Sequence, residues 1–218
     1  MMANVDWAMM LGATIDTLLM TGFSLLFTVI IGLPVGVLLF LTSPGQVIAN
    51  RPVYQSVAFV VNVLRSVPFL ILLIVMIPLS RVIVGTALGV QGSIPPLVAS
   101  AAPFFARLVE NVLRELDPGV SEACRAMGAT SRQTVLLALL PEATTGILAA
   151  TVVTGIALVG YSAMSGVIGG GGLGDLAVRY GYQRYQADVM AVTVVILVVM
   201  VQVFQGVGDR WVAKLNRR

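Results

Sequence analysis

Side chains that ordinarily do chemistry are scarce in this chain. It holds no histidine, so neither a Ser-His-Asp triad nor an imidazole metal site can be assembled from it. Its one cysteine, Cys124, excludes an internal disulfide, a CxxC motif and a cysteine-rich zinc site. Its one lysine, Lys214, follows Ala213. A phosphate-binding P-loop needs Gly-Lys-Ser/Thr, because the lysine must reach the β- and γ-phosphates. Any ATP that drives this protein must therefore bind another subunit. Gly169-Gly170-Gly171-Gly172-Leu173-Gly174 satisfies G-x-G-x-x-G formally. A dinucleotide site needs a strand before that run and a helix after it in a βαβ unit. Neither context exists here, so we read the match as accidental and the glycines as a flexible loop. No catalytic residue, metal or cofactor is expected in the chain itself.

Three polar features remain. Asp117 to Gln133 is the most structured. Asp117 followed by Pro118 is a helix N-cap with proline at the first helical position. Val120, Ala123, Cys124 and Met127 fall at i, i+3, i+4 and i+7, which makes one apolar face. Gly128 is placed to end that helix with left-handed dihedrals, and Thr130 with Gln133 forms a capping box for the next one. Such a pair of short helices suits either a lipid surface or a docking site. The second feature is Arg107, Glu110, Asn111, Arg114 and Glu115, one stripe with Glu110 four residues before Arg114, the favourable order for an ion pair. We read it as an interfacial stripe in contact with headgroups and water, the alternative being a network against the Asp117–Gln133 segment. The third is Arg65, beside Ser66 and Pro68. A charge within an apolar span faces protein or a water cavity.

Those residues must be positioned by membrane helices. Only 11% of the 218 residues are charged against 58% hydrophobic, where a soluble domain carries about 25% charged. With a mean hydropathy of +0.97, the composition is that of an integral membrane protein. A spanning helix needs about 20 apolar residues. The uncharged stretches place five, over 14–41, 54–80, 95–115, 141–166 and 187–209. The third starts at Pro95 or Pro96, the fourth at Pro141, and the fourth stops where glycines accumulate near Gly166. The whole chain, 1–218, reads as one transmembrane domain, with the segment 117–140 between the third and fourth helices. Gly32 and Gly36, four apart, could bring two helices close.

Five crossings separate the termini. With the N-terminus outside, Arg51, Arg107, Arg114, Arg125, Arg132, Arg210, Lys214, Arg217 and Arg218 lie inside, and Arg81, Arg179 and Arg184 outside. That asymmetry favours an outer N-terminus and a cytoplasmic C-terminus. It also accounts for the net charge of +3 without any nucleic-acid partner, since the basic residues are too dispersed for one. The start of the chain lacks a basic n-region and a cleavage site, so the first helix is expected to insert uncleaved.

Glu122-Ala123-Cys124, then Gly128, then Leu140-Pro141 closely resembles the EAA loop of ABC importer permeases. Cys124 stands where that pattern has its second alanine, and Ala138 where it has isoleucine. Further runs are similar to the methionine-import permeases: Ile31 to Gly36, Thr42 to Gln46, Arg65 to Phe69, Ala102 to Arg107, Val159 to Met164 and Gly171 to Gly174. The resemblance implies a type I permease of five helices in the bacterial cytoplasmic (inner) membrane, importing methionine of either enantiomer. It implies that Glu122, Ala123, Cys124, Gly128, Leu140 and Pro141 form a cytoplasmic coupling helix and its flank, docked on an ATPase subunit. It further implies a second copy of the chain, two ATPase subunits that hold ATP and Mg, and an extracytoplasmic substrate-binding protein that meets the loop at Gly171, Gly172 and Gly174. Arg65, Ser66, Tyr161, Ser162 and Met164 are the residues placed to line or gate the pathway, with membrane lipid around the rest. Import of another amino acid is the nearest alternative. A secondary transporter would need membrane-embedded acids for its coupling ion, and the span interiors hold no Asp or Glu. A passive channel would need a lined filter and would have no use for an ATPase-docking loop.

Overall fold

The computed structural model describes residues 5–46 and 48–215. Arg217 and Arg218, counted above on the inner side, lie outside them. The described residues form helices and connections, without strands. The first helix, α1 (Trp7–Thr42), starts seven residues earlier than hydropathy places it. The Asp6 carboxylate accepts from the Ala8 and Met9 backbone N–H groups and so caps two orphan donors.

The expected continuous helix over 54–80 is instead three pieces: α2 (Arg51–Ser66), α3 (Phe69–Val75) and α4 (Ile77–Val84). The axis turns by 101° between α2 and α3. The cause is local. Val67 precedes Pro68, and the proline ring drives it out of helical dihedrals to φ −79°, ψ 123°. Among the described residues, four helices are long and apolar enough to cross a membrane, and the bent pair α2–α3 counts as a fifth span if it crosses as one unit.

The next helix, α5 (Gly89–Arg114), does not begin at Pro95 or Pro96; both lie inside it, as does Pro103. Its start is tied down by the Gly89 N–H donating to the Gly169 carbonyl at 3.0 Å. Then come α6 (Pro118–Ala126) and α7 (Ser131–Gln133), the latter continuing through a π-helical turn, Thr134–Leu139, into α8 (Leu140–Ser165). The stretch from Ser131 to Ile168 is thus one long helix rather than one that starts at Pro141. Pro141 has no N–H to give and its ring would strike the carbonyl four residues back. The wider π turn just before it relieves that conflict, with the Leu140 N–H reaching five residues back to the Val135 carbonyl. A single 3₁₀ turn, Gly166–Ile168, ends the helix. The short α9 (Gly172–Leu176), a second π turn (Ala177–Tyr182) and α10 (Ala187–Leu215) complete the chain.

The packing centres on α1 and α5, which run along each other for most of their length, with α8 against both and α10 against α8. A Cβ at Gly36 would lie 2.6 Å from the Ala106 carbonyl oxygen, so only glycine lets α1 and α5 approach this closely. Phe105, Val109, Leu113, Leu139 and Ala143 form the core at the end of the bundle nearest α6. Met20, Phe69, Leu73, Leu97 and Leu158 form another where α3 folds against α1, α5 and α8.

Candidate functional site

The segment between α5 and α8 takes the form its residues dictate. The Asp117 carboxylate accepts from the Gly119 N–H at 2.8 Å and caps α6. At the other end the Gly128 N–H donates to the Arg125 carbonyl and the Ala129 N–H to the Cys124 carbonyl, each at 3.0 Å. That pair of bonds is a Schellman closure, and it holds Gly128 at φ +74°. Thr130 and Gln133 form the expected reciprocal capping box. The expected apolar face divides in two. Cys124 is buried and Val120 packs against the core beside it, while Ala123 and Met127 are exposed, Met127 at 78%. Inward contact therefore uses Val120 and Cys124. Glu122, Ala123, Arg125 and Met127 are presented outward. Of the flanking pair, Pro141 is exposed and Leu140 half-buried on the α8 side.

Behind α6 lies a charged hub. Glu110, four residues before the end of α5, is 1% exposed. Its Oε2 accepts from Arg107 Nη1 at 2.5 Å, and its Oε1 accepts from Arg114 Nη2 at 2.7 Å and Nε at 3.1 Å. Two residues of α2 complete the set. Tyr54 Oη lies 3.3 Å from Glu110 Oε1, and Asn62 Oδ1 accepts from Arg107 Nη2 at 3.1 Å. The stripe on α5 is thus no headgroup-facing surface at Glu110. It clamps α5 to α2 rather than to the Asp117–Gln133 segment directly. Arg114 alone reaches further, since it also lines a crevice of about 110 Å³ with Gln46, Asp117, Glu122 and Arg125. Tyr54 and Asn62 escaped the sequence reading, although their spacing of eight on α2 matches the spacing of seven between Arg107 and Arg114 on an antiparallel neighbour.

The pathway candidates separate. Arg65 and Ser66 are exposed in the last turn of α2, immediately before the 101° bend, and Ser66 Oγ donates to the Asn62 carbonyl at 2.8 Å. Tyr161 stacks on Phe69 of α3 with ring centroids 4.8 Å apart. Ser162 is buried and donates to its own helix at the Val159 carbonyl, and Met164 is 41% exposed. Tyr161 and Arg65 thus meet opposite sides of the same break, while Ser162 and Met164 join neither.

Glycines 169–174 are a packed hairpin rather than a flexible loop. Gly172 and Gly174 are buried and Gly171 is half-buried. A Cβ at Gly174 would overlap the Ala163 backbone, and the Leu173 N–H donates to Thr17 Oγ1 of α1 at 2.9 Å. Burial withdraws Gly172 and Gly174 from direct contact with a docking protein. Among the exposed groups on this side are Tyr182 and Tyr185, at 70% and 90%, with Arg184 lying over the Tyr180 ring at 4.4 Å.

Residues 32–218 match the family model of the binding-protein-dependent transport system inner membrane component. The chain is 45% identical over 210 residues to a probable D-methionine transport system permease protein MetI of Vibrio cholerae, covering 96% of this chain and 93% of that one. It is 57% identical over 151 residues to the D-methionine transport system permease protein MetI of Escherichia coli K12, covering 69% of this chain and 70% of that one. Its fold superposes on a chain of the MetNI methionine ABC transporter, solved in inward-facing conformations, with a TM-score of 0.94 at 51% identity, covering 97% of this chain and 99% of that one.

Proposed function

The chain belongs to the binding-protein-dependent transport system inner membrane component family, and from that premise we propose that it is the permease subunit of an ATP-driven methionine importer. Hydrolysis is the work of a separate ATPase subunit, which holds the ATP and Mg, because the lone Lys214 cannot form a P-loop. The observation that carries the coupling role is the outward face of α6. A membrane-embedded bundle ends in a short, doubly capped helix whose exposed side carries Glu122, Ala123, Arg125 and Met127 and whose inner side is fixed by Cys124. In this reading α6 seats in a groove of the ATPase subunit. Two copies of the chain stand about a twofold axis, each offering one α6 to one of two ATPase subunits. Closure of the ATPases moves α6, and the long helix Ser131–Ile168 carries that movement across the bilayer. The likeness to an inward-facing transporter supports reading the arrangement as open to the cytoplasm.

Five crossings per subunit follow if α2 and α3 act as one broken span. The pathway then runs past the break, where Arg65, Ser66 and Tyr161 lie, with Ser162 and Met164 further along α8. The Lys/Arg asymmetry supports an outer N-terminus, which puts Tyr182 and Tyr185 on the side where a substrate-binding protein docks. A Tyr185→Cys substitution in a Cys124→Ala background is expected to react with an impermeant thiol reagent in intact cells, and Met127→Cys is not. The reverse pattern would overturn this orientation.

The function itself is tested by reconstitution. Proteoliposomes holding the permease, its ATPase subunit and a methionine-loaded binding protein are expected to take up labelled methionine only with ATP. Uptake driven by a sodium or proton gradient without ATP would sink the assignment. ATP-driven uptake of a different amino acid would remove the substrate and leave the mechanism standing.

A further inference from the structure

We propose that the face shared by α2 and α5 is a water-filled cationic track in the inner half of the pathway, and that the Arg65 guanidinium on it binds the carboxylate of the amino acid in transit. This rests on the importer reading above and adds a ligand group to it.

The two helices meet along polar faces. At about 100° per residue, Arg51, Gln55, Asn62, Arg65 and Ser66 fall within about 100° of arc on α2. Arg107, Glu110, Asn111 and Arg114 form the facing stripe on α5, joined to α2 through Asn62 and Tyr54. Val57, Val60 and Leu64 occupy the other side of α2 and line an apolar groove against α1 and α5. The described residues do not close over the polar face. Gln55, Asn62, Arg65, Ser66 and Asn111 are exposed, and Arg114 is 42% exposed.

Arg65 is fourteen residues along α2 from Arg51, or about 21 Å at a rise of about 1.5 Å per residue. With Arg51 taken as the inner boundary of the span, that lies inside a hydrocarbon core of about 30 Å. A guanidinium there does not face lipid. It faces water or a partner, and the row Asn62, Arg107, Asn111, Arg114 continues the polar surface from Arg65 to the α6 end of the bundle.

Charge decides between water and a dry contact. Glu110 is taken up by Arg107 and Arg114. Arg65 is left without an acidic partner among the described residues. If the twofold axis of the proposed dimer lies beside this face, two such tracks come together, and two surplus cations cannot share a dry interface. The space between them must hold water and favours anions. A methionine zwitterion offers one carboxylate, which a guanidinium binds through two parallel N–H donors.

The test uses the complete complex. In a Cys124→Ala background, whose own uptake sets the reference, Ser66→Cys is exposed from the cytoplasmic side to anionic and cationic methanethiosulfonates of equal size. Both are expected to react, the anionic one several times faster. Arg65→Gln should remove that preference and lower methionine uptake about tenfold, the loss of a charge-assisted pair. Arg65→Lys should recover part of the uptake, and ATP hydrolysis stimulated by the loaded binding protein should persist in both. Ser66→Cys that does not react, a charge preference unchanged by Arg65→Gln, or unchanged uptake would overturn the proposal. So would an Arg65 requirement that vanishes in neutral-lipid vesicles, which would assign the group to an anionic headgroup. If the unsubstituted chain shows no ATP-driven uptake at all, the importer reading falls and takes this inference with it.

Discussion

Glu110→Gln is expected to abolish ATP-driven uptake and to lower the melting temperature of the purified permease by several degrees. The carboxylate is 1% exposed and lies within 2.7 Å of two guanidiniums, offsetting one of their two charges. Removing one partner of a buried ion pair costs about 3–5 kcal/mol, because the remaining charge stays buried and unpaired. Arg114 is 42% exposed and recovers hydration, so the penalty falls mainly on Arg107, at 17%, and a cost of about 3 kcal/mol is the reasonable magnitude. The functional loss should exceed what stability alone explains, because the hub also ties α2 to α5. With Glu110 neutral, Tyr54 and Asn62 lose the ordered guanidiniums they contact, and the α2 face that carries Arg65 loses its anchor. Tyr54→Phe, which removes only contacts of 3.3 Å, should cost far less. Thermal unfolding in detergent and uptake at equal membrane abundance measure both effects. An unchanged melting temperature with normal uptake in Glu110→Gln would mean that the hub holds nothing.

What was legible in the sequence, and what was not, follows from the range of the interactions. The α6 segment could be read residue by residue because every signal is local. Asp117, Pro118, Gly128, Thr130 and Gln133 act within a few positions of themselves, and the structure shows the caps where the pattern puts them. The bend after α2 also had a local cause in Val67-Pro68, but hydropathy sees an apolar stretch and is blind to its direction. The prolines misled in the other direction. Pro95, Pro96 and Pro141 all sit within helices, because a π turn or neighbouring helices absorb what a proline removes from its own ladder. Glycines 169–174 could not be sorted from sequence at all. A glycine run is written the same way whether it is loose or packed. Here the partners that fill the space, Thr17 and Ala163, lie on α1 and α8. Glu110 was misjudged for the same reason, since its burial depends on α2 residues more than 45 positions away.

The second large effect is expected at the corner of the segment between α5 and α8. Gly128→Val should leave the permease inserted and folded but without ATP-driven uptake. The position is open: a Cβ there would meet nothing within 4 Å. Steric crowding is therefore not the mechanism. The backbone is, since φ at Gly128 is +74°, a region a β-branched residue enters only as an outlier. The left-handed dihedral costs a side-chain-bearing residue about 1–2 kcal/mol, which is too little to unfold a bundle of this size but enough to reopen a Schellman closure. Once the Ala129 and Gly128 N–H groups leave Cys124 and Arg125, α6 loses its fixed angle to the long helix that begins at Ser131. Motion imposed on α6 then dissipates in the corner. Gly128→Asn, which tolerates left-handed dihedrals, should retain most of the uptake. Glu122→Lys tests the neighbouring step, because it leaves the corner intact and reverses a charge on the outward face. It should weaken association with the ATPase subunit, where Gly128→Val should preserve association and lose uptake. Co-purification and uptake, measured together on the three variants, separate docking from transmission. Wild-type uptake by both Gly128→Val and Glu122→Lys, at equal membrane abundance, would refute the role given to α6.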